Sequence, residues 1–132
     1  MKATLLTYNL TGDRLNHLRF LCLRLGIAVR PVPAEAWGLS LSALPGPAIP
    51  AADLPTPAGT FTDEMLVMCG FTGPLVNGLL NAMRQARMAP IALKAVLTPS
   101  NATWDSVYLH AQLLQEHVAM QLGKPAVHAP QP

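Results

Sequence analysis

The run Met65-Leu66-Val67-Met68, closed by Cys69, contains no polar side chain. Successive residues of a strand point to opposite faces, so as a strand this run is apolar on both sides. Such a strand belongs in the middle of a sheet with both faces covered. A bare face would leave an apolar patch of several hundred Å², more than soluble monomers usually expose. The fold is therefore expected to have no free sheet face. A helix near the C-terminus is the first candidate cover, ahead of a second copy of the chain and the Pro-rich segment.

The run belongs to a pattern that occurs twice. Thr4 to Val32 and Met65 to Val96 each contain an apolar run, a small polar corner, an amphipathic segment and a second apolar run. The corners are Asn9-Leu10-Thr11-Gly12 and Gly70-Phe71-Thr72-Gly73. Leu15, Leu18, Cys22 and Leu25 recur at three- and four-residue spacings, as do Val76, Leu79, Leu80, Met83 and Ala86, so each unit holds a helix. Thr11 and Thr72 stand at N-cap positions and Gly26 at a helix stop. Pro31 and Pro33 cannot donate to a ladder, which sends the strand around Val29 to an edge. The expected fold class is α+β: a ferredoxin-like β-α-β-β-α-β sheet, first and third strands inside, with an additional C-terminal helix and a Pro-rich insertion between the halves. A doubly wound parallel sheet is the weaker alternative.

The 132 residues suit one domain, here 1–123, with a Pro/Ala-rich strap over 34–62 and a disordered tail over 124–132. Leu39, Leu41, Leu44 and Ile49 are too apolar for a free tether, so the strap is expected to pack on the domain. A net charge of +2 carries no basic stripe for nucleic acid, and no run is long and apolar enough for secretion or a membrane span. Cys22 and Cys69 form neither a metal spacing nor a disulfide framework, which fits a cytoplasmic protein with reduced thiols.

The segment Lys94–Trp104, KAVLTPSNATW, reads as a strand exit, a rigid turn and a helix start. Pro99 ends the strand, Asn101 can bind loop amides through its side chain, and Asp105 is a good N-cap. Trp104 and Leu109 are placed for a hydrophobic staple, and Val107, Ala111, Leu114 and Val118 form the apolar stripe of this third helix. From Gly70-Phe71 through Lys94-Ala95-Val96-Leu97-Thr98, Pro99, Asn101 and Trp104, the C-terminal half resembles bacterial proteins grouped as domain of unknown function 3783. Asp105 stands where a threonine or serine cap is more usual. The resemblance implies this arrangement of strand, turn and helix and assigns no activity.

Lys94 is the most informative charge. It can snorkel to the sheet rim, or serve an anion site with Thr98, Asn101 and the amides of the third helix. Cys69 reads first as a core residue and second as a nucleophile. The histidines read as surface groups, no metal set is recognisable, and no cofactor motif is present. Tyr8 is nearly alone as a stacking aromatic, which argues against RNA. The function expected is a non-enzymatic binding or interaction module recognising a protein partner, another copy of itself or a small anion. A small-molecule enzyme using Lys94 or Cys69 is the alternative, and RNA binding comes third.

Overall fold

The computed structural model describes residues 2–123; the expected tail at 124–132 lies outside them. The chain runs β1 (Thr4–Tyr8), α1 (Gly12–Leu25), β2 (Ala28–Pro31), a segment with three short 3₁₀ turns, β3 (Met65–Cys69), α2 (Gly73–Gln85), β4 (Leu93–Val96) and α3 (Ser106–Gln121). It is α+β with one four-stranded mixed sheet, in the order β2-β1-β3-β4.

β1 and β3 are inside, as the residue patterns require, and every side chain of both strands is buried. The neighbours differ from the ferredoxin-like expectation. β1 pairs in parallel with β2, β3 in parallel with β4, and the two units meet through antiparallel β1 and β3. Each βαβ unit is closed on itself rather than split by a strand of the other. The long connection between β2 and β3 is the physical reason. A hairpin would force those two strands together, whereas thirty-odd residues release β2 to its parallel partner.

The two units are equivalent in detail. Thr4 and Met65, Asn9 and Gly70, Gly12 and Gly73, and Gly26 and Arg87 each stand 61 residues apart. Asn9 and Gly70 both have positive φ, at 63° and 73°, and Gly26 and Arg87 do so at 74° and 57°. The helix ends match as well: Ile27 N–H donates to the Cys22 carbonyl, and Met88 N–H to that of Met83. Within the β1–β3 register, Leu6 faces Val67, the one pair made of equivalent residues. A local two-fold axis therefore passes between them.

Each face has its own core. On one side Leu5, Leu66 and Met68 pack against Leu18 and Cys22 of α1 and Leu79 and Met83 of α2. On the other, Leu6, Tyr8, Met65 and Val67 lie beneath Trp37, Leu41 and Phe61 of the strap and Leu109 and Leu113 of α3. The strap and α3 share this cover, with no second copy required. Main-chain bonds join them: Leu41 N–H to the Trp104 carbonyl (2.8 Å), Ser42 N–H to Ala102 (3.1 Å) and Ser106 N–H to Trp37 (3.2 Å). Asn9 holds the far end of the strap, its Nδ2 donating to the Phe61 and Asp63 carbonyls. Gly38 is needed where the strap doubles back, since a Cβ there would stand 2.7 Å from the Pro55 carbonyl oxygen.

The stripe expected on α3 is corrected. Ser106, Leu109 and Leu113 face the sheet, while Leu114 and Val118 are exposed and Val107 only half-buried. The Tyr8 hydroxyl and Ser106 Oγ, both buried and 2.7 Å apart, fix the rotation of the helix. Leu109→Ala is expected to cost about 2–5 kcal/mol, the scale for truncating a core leucine. Leu114→Ala, outside the core, should cost about 0.5 kcal/mol or less. Urea unfolding of the two variants checks this, and equal losses would contradict the observed helix rotation.

Candidate functional site

Lys94 is the second residue of β4, an edge strand. Leu93 and Ala95 enter the core beneath the strap, so alternation turns Lys94 and Val96 to the helix side. There Lys94 is half-buried, and its ammonium donates to the Ile91 carbonyl just before β4. A lysine has three donors and only this one bond is formed among the described residues. Burial pulls its pKa below the ordinary 10.5.

The anion site expected from Lys94, Thr98 and Asn101 together is not assembled. Lys94 reaches back toward the start of β4, while Thr98 and Asn101 lie beyond its end. Asn101 is fully buried: its Oδ1 accepts from Thr98 N–H (2.8 Å) and its Nδ2 donates to the Val96 carbonyl (3.0 Å). The start of α3 is also taken, because Asp105 accepts from Tyr108 N–H at 2.8 Å. A carboxylate there supplies the negative charge that an anion would have brought. Asn101 thus ties the loop, as its place in a turn suggests. Asn101→Ala should cost about 1–3 kcal/mol by stranding buried polar groups, measured by chemical denaturation.

The remaining signature residues lie in turns and packing contacts. Gly70 takes the left-handed corner after β3, Phe71 packs beside the helix-side core and Pro99 lies in the exposed turn. Trp104 is half-buried, with its ring edge-on to Tyr108 at 4.9 Å.

Lys94 instead shares a concave site of about 510 Å³ with the end of α2 and the loop into β4. Leu80, Met83, Met88 and Ile91 give it an apolar floor. Arg84 and Arg87 add two cations, and no carboxylate lines it. The arginines escaped the sequence reading, although a signal existed: from Met65 to Trp104 the chain has no acidic residue. Both complement the negative end of α2, and Arg84 also donates to Asn81 Oδ1. The backbone of Arg87 closes α2 as Gly26 closes α1, with Met88 N–H donating to the Met83 carbonyl. At φ 57° it occupies a conformation costing a side-chain-bearing residue roughly 1 kcal/mol, where the equivalent unit has Gly26.

These pocket residues all lie in the segment of the chain that a family model matches. The model is described as "Domain of unknown function (DUF3783)" and covers residues 64–120. Over this segment the chain is similar to the DUF3783 family. It spans β3, α2, β4 and most of α3, so the DUF3783 segment carries Lys94 and the arginines while β1, α1 and β2 lie outside it. No curated protein and no solved structure matches the chain.

Other reactive groups are engaged in packing. Cys69 is fully buried, and burial pushes its thiol up to about 11. Burial likewise holds the Tyr8 phenol well above its ordinary 10. With its ring beneath the strap, Tyr8 has no face for a base. His110 departs from the surface position expected: its side chain is 12% exposed, stacked on Phe61 and 2.8 Å from Asp63. Ser106, His110 and Asp63 have the residue types of a hydrolase triad. The Ser106 hydroxyl is buried against Tyr8, however, leaving substrate no access to it.

A second cavity, about 390 Å³, lies between β2 and the strap. Its Arg30 ties the strap by donating to the Leu44 and Gly46 carbonyls. Among the described residues no group of histidine, cysteine and carboxylates is placed to hold a metal, and no helix is long and apolar enough to cross a membrane.

The depressed Lys94 pKa gives a sign for its pH dependence. As pH rises toward 10.5 the folded chain releases this proton before the unfolded chain does, so stability from Lys94 increases with pH. Tyr8 opposes it, because the unfolded phenol ionises first near pH 10. Lys94→Met should therefore lose more stability than wild type over roughly pH 9 to 10. Urea titrations across that range give the difference, and parallel curves would contradict the burial of Lys94.

Proposed function

We propose that this chain is a non-enzymatic binding module that recognises an anion in the pocket between α2 and β4. The observation that carries the reading is the meeting of Lys94, Arg84 and Arg87 around an apolar floor with no carboxylate. A half-buried ammonium with donors to spare gains most from an anion, since low local dielectric strengthens the pairing. The left-handed Arg87 supports the same reading. The left-handed backbone is the helix stop that both units need, but the equivalent unit fills it with glycine, so a side chain kept there at a cost is a pointer to function.

Amine chemistry at Lys94 is a second reading, favoured by the same burial that lowers its pKa. Binding is preferred because no histidine, cysteine, tyrosine or carboxylate lines the pocket to move the proton that such chemistry needs. The bacterial and cytoplasmic setting belongs to this proposal too, resting on the family resemblance and the cysteine usage.

Arg87→Gly separates stability from binding. It should stabilise the fold by roughly 1 kcal/mol by relieving the left-handed side chain. It should also weaken sulfate binding, followed as melting shifts against chloride at equal ionic strength. Lys94→Met should remove most of the sulfate-specific shift. Identical shifts in wild type and both variants would sink the anion reading, because sulfate stabilises most proteins through exclusion from their surface.

A further inference from the structure

Inorganic anions are small and strongly hydrated, and a site built for them alone has no use for an apolar floor. The DUF3783 pocket joins two chemistries. Lys94, Arg84 and Arg87 supply charge, whereas Leu80, Met83, Met88 and Ile91 supply hydrocarbon and thioether surface. Ile91 and Met83 are nearly fully buried and Leu80 is half-buried, so the floor continues from the core to the mouth. Methionines suit a site that accepts flexible aliphatic chains, being unbranched and polarisable. The volume of about 510 Å³ falls within the range of small-molecule pockets, roughly 300–1,000 Å³.

From this juxtaposition we infer that the ligand is an anionic amphiphile, a free aliphatic acid whose head meets Lys94 and the two arginines while its chain lies on Leu80, Met83, Met88 and Ile91. The inference rests on the anion reading above and adds the apolar body. Lys94 is well suited to the head. Its stem passes along apolar surface, and its ammonium, anchored at the Ile91 carbonyl, keeps donors for a carboxylate. The absence of carboxylates from the lining selects against cationic amphiphiles, whose heads would meet three like charges.

The test is a calorimetric titration of the full chain with acetate, octanoate and octan-1-ol at equal ionic strength. Octanoate should bind at least about tenfold more tightly than either of the others. Lys94→Met should remove most of that preference over octanol. Leu80→Gln should weaken octanoate while leaving the sulfate melting shift unchanged, which also shows that the variant is folded. Equal binding of acetate and octanoate, lost in Lys94→Met, would overturn the amphiphile and leave the anion reading standing. Equal binding of octanol and octanoate, unaffected by Lys94→Met, would overturn both, as would no binding of any probe.

Discussion

The antiparallel pairing of β1 with β3 is the contact on which the rest of the molecule depends. Both strands are buried on both faces, so the ladder between them stands between two cores and belongs to both. Each of these strands also holds one parallel edge strand, β2 or β4. The helices lie on one side because the two βαβ units are related by an axis normal to the sheet at Leu6 and Val67. The same symmetry leaves the other side bare, and that is the side on which the strap and α3 are recruited. Sheet, helix layer and strap layer are thus consequences of one register.

The apolar strand, both helical units and the edge position of the prolines were legible because each rests on local periodicity or on the chemistry of a single residue. Strand order was not, since the split and unsplit arrangements place the same strands inside. What separates them is a connection too long to act as a hairpin. The face of α3 was hidden for another reason. Val107, Leu109, Leu113, Leu114 and Val118 offer two overlapping stripes, and the choice is made by contacts remote in sequence, chiefly Tyr8 with Ser106 and the strap with Trp104. His110 was likewise invisible as a packed residue because its partners, Phe61 and Asp63, lie across that same strap.

For the candidate site, the sequence grouped Lys94 with Thr98 and Asn101, and the fold groups it with Arg84 and Arg87. Thr98 and Asn101 follow Lys94 closely in the chain, but a strand carries them away from it, and Asn101 is buried in its own turn. Arg84 and Arg87 share its pocket because α2 runs back along the sheet before β4 begins. Edge position also bears on Lys94. A lysine on a short edge strand discourages a further strand from pairing there, so its charge guards the sheet while its remaining donors face the pocket.

The local two-fold axis carries a consequence for what counts as a folding unit. The family boundary at residue 64 falls just before β3, and the segment beyond it lacks the strand that buries one side of Met65–Cys69. Main-chain donors and acceptors along that side would be left facing water, beside two apolar faces of which one had also lost the strap. A half-sheet of this kind is an obligate complement-seeker. Because the axis already relates two units of one shape, the β3–α2–β4 half has a geometry compatible with pairing to its own likeness across β3. In this chain the first sixty residues occupy that place, and the two halves are joined covalently.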